Sequence, residues 1–276
     1  MTSNIKRVQN AQLVILEEFK KICKKHNLRY YAIGGTLIGV HRHKGFIPWD
    51  DDIDLGMPRP DFDKLKKIQD EFPNGFSLVC HENFQEWQFN LYQFVDDTSE
   101  IIVHLNEKPR HCKLWIDIFP IDGMPGNKYM RWIHSKRIMF YRYLIQIPNL
   151  RTQVNVHNNS RGLVERLVLK LLHYIPLSWM VNVDFCLKRM ETILRSCEFD
   201  KSSYAGNMLG RKREKEAVPR IWWNGPVDYP FENTTISCPH GYHEYLTHIY
   251  GDYMKIPPVE KRESHYIDII RLRSEY

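Results

Sequence analysis

Tyr31-Ala32-Ile33-Gly34-Gly35-Thr36-Leu37, joined through a basic stretch to Asp50-Asp51-Asp52-Ile53-Asp54-Leu55-Gly56-Met57-Pro58, decides how this chain is read. The run from Leu28 to Ile33 is rich in strand formers and stops at the double glycine. Without a Cβ the backbone at Gly34-Gly35 can turn tightly and come close to a ligand, and its N–H groups suit a phosphate. The pattern is not a P-loop. Gly34 and Gly39 have the spacing, but Val40-His41 stands where Lys-Ser/Thr is required, and the GxGxxG dinucleotide pattern is absent as well. A second strand is expected over Ile53–Met57, ended by Pro58 and Pro60. Residues i and i+2 of a strand share a face, so Asp52 and Asp54 present two carboxylates roughly 6–7 Å apart, with Ile53 and Leu55 on the opposite, buried face.

Two carboxylates that close repel each other unless a cation lies between them, and all-oxygen donors favour magnesium or manganese. Asp117, the lone acid of Trp115-Ile116-Asp117-Ile118-Phe119, is the candidate third ligand, because a buried carboxylate needs a partner. Two other readings compete. Asp50-x-Asp52-x-Asp54 opens like a calcium loop, but that pattern needs Gly at 55 and Glu at 61, where this chain has Leu55 and Asp61. A solvated acidic turn accounts for Asp50 and Asp51 but not for Asp54 between two apolar residues. In the intervening His41-Arg42-His43-Lys44 segment, Arg42 and Lys44 are candidates to neutralise phosphate oxygens. His41 and His43 have the spacing of a metal pair but lack further ligands nearby. Trp49 reads equally as an aromatic wall of the site or as packing.

Working outward, Ile5, Val8, Ile15, Phe19 and Ile22 fall at helical spacing and predict a helix over 4–26. Asp61 is expected to cap a helix with Phe62, Leu65 and Ile68 on one face. Strands are expected over Phe76–Cys80, Phe89–Val95 and Ile101–Leu105, with Asp96-Asp97-Thr98-Ser99 as a turn. A further strand over Lys113–Phe119 is bounded by Pro120. From Asn127 the pattern turns mainly helical, with helices near 127–147, 161–174, 178–198 and 241–250. The expected class is α+β, a mixed β-sheet with flanking helices and a helical C-terminal half. A boundary near 125 separates a core over 1–125 from a helical part over 126–276, unless the two form one continuous domain.

Composition narrows the function. Of 276 residues, 43% are hydrophobic and 26% charged, the balance of a folded soluble chain. The six cysteines are scattered without a CxxC pair, which argues against a zinc ribbon or a disulfide framework and fits reduced thiols in the cytoplasm. No apolar h-region follows Met1–Arg7, so no secretory signal is expected, and the glycosylation-type triplets at Asn158 and Asn233 read as chance. The run Leu163–Val183 is broken by Glu165, Arg166, Lys170 and His173 and is a poor membrane span. The net charge is +6, and Lys128–Lys170 holds nine Lys or Arg against the single acid Glu165. Such a run suits an anionic partner: nucleic acid, an anionic membrane surface or a phosphorylated polymer. It also fits a plain solvated face. No RRM, KH or zinc-finger signature supports nucleic acid.

The run from Tyr31 to Pro58, YAIGGTLIGVHRHKGFIPWDDDIDLGMP, resembles the signature of the LicD family, which has distant members in fukutin and fukutin-related protein. The resemblance continues at Ile116-Asp117-Ile118-Phe119-Pro120-Ile121-Asp122-Gly123. It resumes at Tyr245-Leu246, Tyr250-Gly251-Asp252-Tyr253-Met254 and Pro257-Pro258, with Arg262 and His265 beyond. It implies a nucleotidyltransferase-like fold and metal-dependent transfer of phosphocholine from CDP-choline to a sugar hydroxyl of a cell-surface glycan, such as teichoic acid or capsule. Other CDP-activated alcohols, ribitol or glycerol phosphate, and a non-catalytic glycan-binding role are the alternatives. By the same resemblance Gly34 and Gly35 hold phosphate, and Asp52, Asp54 and Asp117 are the catalytic acids and ligate Mg2+ or Mn2+. From the residues themselves Thr36 is expected to add a donor to the phosphate, and Arg42, Lys44 and Trp49 are expected to bind substrate. If choline is the cargo, an aromatic cage is expected, with Trp49, Trp115, Trp222, Trp223 and Tyr229 as candidates. The implied setting is cytoplasmic, at or near the inner membrane face where lipid-linked acceptors are met.

Overall fold

The amphipathic spacing of the first residues folds as α1 (Thr2–His26), which turns Val8, Ile15, Phe19 and Ile22 into the core. The computed structural model describes residues 2–83, 89–104, 109–148, 181–262 and 266–273. After α1 come β1 (Tyr31–Ala32), α2 (Gly34–His43), β2 (Asp54–Pro58), α3 (Arg59–Lys67) and β3 (Phe76–Val79). Two long strands follow, β4 (Tyr92–His104) and β5 (Arg110–Met124), and then α4 (Lys128–Gln146) and α5 (Val183–Leu194). The remainder is β6 (Tyr204–Gly206), β7 (Val218–Pro219), the hairpin β8 (Pro226–Phe231) and β9 (Thr234–Pro239), α6 (Tyr242–Tyr250) and β10 (Tyr266–Arg271).

The main sheet runs β1-β2-β5-β4-β10, with β3 added on β4 and β6-β7 on the far end of β5. Its β2–β5 pair is parallel and its other pairs are antiparallel. The class is α+β. Strands from beyond residue 125 complete the sheet, and one apolar cluster runs from Val8 to Leu272. A second, smaller cluster joins α4 to α5 through Ile138, Met139 and Ile145 against Cys186, Leu187 and Met190.

Side-chain alternation along β4 decides which face carries chemistry. Tyr92 stacks on Phe62 of α3 at 3.8 Å, and Phe94 meets Phe19 of α1 at 5.8 Å, so α1 and α3 cover that face. Gln93 points the other way, beside its register partner Asp117 on β5.

Several local expectations are corrected. Gly34-Gly35 is not a turn between strands; α2 begins there, and β1 keeps only Tyr31 and Ala32. Asp61 does not cap α3, whose N-cap is Pro58. It sits in the first turn and accepts a 2.7 Å bond from Arg29. The expected turn at Asp96–Ser99 is instead an irregularity inside one continuous β4. The Asp96 carboxylate accepts from the Thr98 amide and hydroxyl, which absorbs the shift without breaking the strand. Pro120 does not end β5. β4 pairs with β5 only as far as Ile118, so the N–H that proline lacks is not missed on that side. Beyond residue 125 the expected helices are joined by the five short strands β6–β10. The helix expected over 161–174, the start of the one over 178–198, Leu105, the 149–170 part of the Lys128–Lys170 basic run, the Asn158 triplet and His265 lie outside the described residues.

Candidate active site

Parallel pairing of β2 with β5 puts Asp54 opposite Asp117, and register partners in a sheet share a face. The Asp117 amide bonds the Ile53 carbonyl at 2.9 Å and sets that register. Behind the pair, Ile53 and Leu55 are fully buried. Gln93 Nε2 and Trp115 Nε1 each donate to one oxygen of Asp117 at 3.0 Å, fixing its carboxylate plane. The Asp54 amide donates to Thr36 Oγ1 at 2.9 Å, so the start of α2 is tied to the start of β2. From α1, Gln9 and Gln12 donate to the carbonyls of Asp50 and Asp51 at 2.8 and 2.9 Å and hold the acidic loop from behind. Asp51 is buried, so the solvated-turn reading fails for it.

The glycines are required by contact. Gly34 adopts φ +55°, and a Cβ there would stand 3.1 Å from Asp54 Oδ2; at Gly35 it would stand 2.7 Å from Asp50 Oδ2. The helix thus opens directly against two carboxylates. Gly34→Ala is expected to cost about 1–2 kcal/mol through its left-handed backbone and to lower turnover by at least about tenfold by shifting Asp54. Melting temperature and kcat measured on one preparation check both effects.

Asp54 is half-buried at the start of β2. Burial pushes its carboxyl well above the usual range, and Asp52, Asp117, Asp50 and Glu216, all acids, push in the same direction. Asp54 and Asp117 face each other across the β2–β5 pair, while Asp52 lies in the loop before β2 rather than on its face and reaches Asp54 through its charge; surplus negative charge of this kind is what a hard divalent cation offsets. Among the described residues no group of three or more His, Cys, Asp or Glu is arranged to hold a metal ion.

The expected cations sit at the C-terminal end of α2, the end away from Gly34 and Gly35. Arg42 Nη1 donates to the carbonyls of Tyr253 and Lys255 at 3.0 and 3.3 Å, fastening α2 to the loop after α6 while still within reach of the Asp50 charge. Lys44 is exposed, in left-handed conformation, at the C-cap of α2. Arg262 lies over the Trp49 ring at 4.2 Å, so the carboxy-terminal motif folds back on the first one. His41 and His43 form no metal pair. His41 stacks on Tyr242 at 3.5 Å, with burial lowering its pKa to about 4, and His43 accepts from Arg42. The five candidate cage rings have separate surroundings. Trp223 is buried between Tyr31 and Tyr245, Tyr229 meets His41 and Tyr242, Trp222 meets His248, Trp49 lies under Arg262, and Trp115 bonds the acid cluster.

Sequence reasoning missed a second wall. Glu216 reads as one more charge in Arg211-Lys212-Arg213-Glu214-Lys215-Glu216, yet it is buried and accepts a 2.6 Å bond from Tyr245 OH on α6. Burial lifts its pKa to about 7, against the Tyr245 hydrogen bond and the charges of Lys212 and Arg142. Tyr250, beneath Lys212 Nζ at 4.8 Å, is half-buried within the reach of the Glu216, Asp54 and Asp50 charges. Gln93 was equally invisible, since only strand register places it on Asp117. A carboxyl whose folded pKa is raised disfavours the fold once it ionises. Stability should fall by about 3 kcal/mol as pH rises from 4.5 to 7. Glu216→Gln is expected to remove that slope in urea titrations across the interval.

The chain matches the family model described as "LicD/FKTN/FKRP, nucleotidyltransferase domain" over residues 27–156, which takes in both acid-bearing strands and α2. It is 30% identical over 275 residues to a lipopolysaccharide cholinephosphotransferase, LicD, of Haemophilus influenzae, covering 95% of this chain and 96% of that one. It is 25% identical over 143 residues to the ribitol 5-phosphate transferase FKRP of Mus musculus, which is 50% of this chain and 27% of that one. An uncharacterized protein of Rickettsia typhi is 34% identical over 115 residues, 41% of this chain and 35% of that one. With a match along nearly its whole length, this chain belongs to the LicD family.

Proposed function

We propose that this protein is a phosphotransferase that moves phosphocholine from CDP-choline onto a sugar hydroxyl of a cell-surface glycan, with Mg2+ or Mn2+ held by Asp52, Asp54 and Asp117. The observation that carries the reading is Asp54, half-buried within reach of four other acids and close against the glycine start of α2. The acceptor hydroxyl attacks the phosphorus bearing choline, its new P–O bond forms, and the bond to CMP breaks in line. The bound cation would supply positive charge against the donor's pyrophosphate oxygens. Gly34, Gly35 and Thr36 offer the first N–H groups of α2 to those oxygens. Asp117, held in one orientation by Gln93 and Trp115, serves either as third ligand or as the base for the acceptor proton. Arg42, Lys44 and Trp49 are the residues that meet substrate. Residues 1–125 act as the catalytic core and 126–276 complete the acceptor side, in the cytoplasm and peripheral to the membrane that carries the acceptor. Among the described residues, no helix is long and apolar enough to cross it.

The family supports phosphoryl transfer to glycans, and the relative matched along its full length is named for choline. The FKRP relative keeps ribitol phosphate as the second reading. Binding isotherms for CDP-choline, CDP-ribitol and CDP-glycerol, with magnesium and with chelator, separate the two. CDP-choline is expected to bind most tightly, and magnesium to strengthen it by at least about tenfold. Equal binding in chelator would remove the metal from the proposal. Preference for CDP-ribitol would move the assignment to alditol transfer. Binding without any CMP release would leave a glycan-binding relative.

A further inference from the structure

Helix α4 is apolar on two faces. One face carries His134, Ile138, Met139 and Ile145 inward, where its apolar side chains meet those of α5. The other carries Tyr129, Trp132, Lys136, Phe140 and Tyr143 at intervals of three and four, so they form one line along the helix. The four aromatics on that line are 68%, 53%, 58% and 51% exposed. From Tyr129 to Tyr143 the line runs roughly 21 Å. A surface helix of a soluble domain ordinarily spends such positions on charged side chains.

The polar surroundings of the line are cationic. Lys128–Gln146 contains no acid, and Lys128, Lys136 and Arg137 are exposed along it. Arg213 donates to Tyr143 OH at 2.8 Å and lies 5.4 Å from its ring centroid, with exposed Lys212 and Lys215 beside it. Lys136 Nζ stands 5.9 Å from the Trp132 ring. Glu214, paired with Lys136 at 2.5 Å, is the acid in this neighbourhood among the described residues. Aromatic rings with a polar edge, interleaved with Lys and Arg on one ridge, are the composition that settles at the boundary of headgroups and acyl chains. Lys136 and Phe140 also line two open clefts along the ridge, so cations and rings alternate over its whole surface, as a layer of lipid phosphates above acyl chains requires.

We propose that the Tyr129–Tyr143 ridge of α4 docks this protein on an anionic lipid bilayer, its rings entering the headgroup layer and its cations meeting lipid phosphates. This deepens the peripheral placement proposed above. It is also continuous with the candidate site. Tyr143 contacts Arg213, its neighbour Lys212 covers Tyr250, and Tyr250 lies beside the acid cluster. Docking through α4 therefore brings Lys212 and Tyr250, which the charges of Glu216, Asp54 and Asp50 reach, toward the bilayer, where a lipid-carried acceptor would stand.

Co-sedimentation of the full-length protein with phosphatidylcholine vesicles, with and without phosphatidylglycerol, tests the assignment. Wild type is expected to pellet with the anionic vesicles and at least about tenfold less with neutral ones. Trp132→Ser with Phe140→Ser, and separately Lys128→Glu with Arg137→Glu, are each expected to lower anionic-vesicle binding at least about tenfold. CDP-choline binding measured on the same variants should stay unchanged, so loss of the surface is distinguishable from failure of the donor-site reading. The proposal is overturned if wild type does not pellet, or if either double variant binds vesicles as wild type does. It is equally overturned if light scattering shows the aromatic variant converting a dimer to a monomer, or if dextran sulfate retains wild type while vesicles do not.

Discussion

Asp54→Asn is expected to reduce transfer by at least about 10³-fold, roughly 4 kcal/mol of transition-state stabilisation, and at the same time to raise the melting temperature of the metal-free protein. The two effects share one cause. Burial and four acidic neighbours hold the Asp54 carboxyl well above its ordinary range, so its charged form opposes folding. The sign follows from linkage: stability is greatest below the unfolded pKa and is lost as pH rises through the raised folded one. An amide keeps the shape and removes that loss. Magnesium should then stabilise wild type, because a ligand that binds only the folded state shifts the melt, and should leave Asp54→Asn unmoved. Thermal melts at pH 5 and pH 8, with and without magnesium, read all of this on two proteins. A variant that melts below wild type at pH 8 without metal would show that Asp54 serves the fold rather than the chemistry.

The largest loss of stability is expected at Arg59→Ala. The Arg59 guanidinium at the start of α3 reaches Asp122 of β5 through bonds of 2.6 and 2.8 Å and Glu191 of α5 at 2.8 Å. Arg59 and Asp122 are both buried, and burial raises the Asp122 carboxyl even against the opposing Arg59 charge. Truncating the arginine strands that carboxylate without its counter-charge, at a cost of about 3–5 kcal/mol. The loss should be deepest at neutral and alkaline pH and shrink in acid, where Asp122 takes up its proton. Combining Arg59→Met with Asp122→Leu should recover most of it, since a well-packed apolar pair replaces buried charges at little cost. Urea unfolding at pH 5 and pH 8 gives both comparisons. If the single and double variants lose equal stability, packing rather than charge carries this junction.

What could be read from the residues and what could not divides along the range of the interactions. α1, β2, α4 and α6 were legible because each follows from local periodicity or from Gly and Pro placement, and Asp54 beside Asp117 followed from two apolar strands each carrying one acid. Periodicity cannot tell a turn from a bulge, so Asp96–Ser99 was misread until the Thr98 hydrogen bonds to Asp96 were visible. Proline rules are equally blind to where a neighbouring strand stops, which is why Pro120 passes through β5. The second wall was hidden for a different reason. Glu216 lies in a run of charges, and nothing local distinguishes the one that Tyr245 draws inward. Trp49 and Arg262 meet across more than two hundred residues, a distance no window of sequence spans.

That last separation bears on how the molecule is made. Arg42 waits for the carbonyls of Tyr253 and Lys255, and Tyr31 waits for the carbonyl of Trp223 at 2.5 Å. The segment that carries Tyr253 and Lys255 must therefore be synthesised before the glycine–aspartate loop can settle into place, and late closure of long-range contacts is slow. The candidate site thus matures late in translation, and a polypeptide interrupted before Trp223 would carry the motif without these ties.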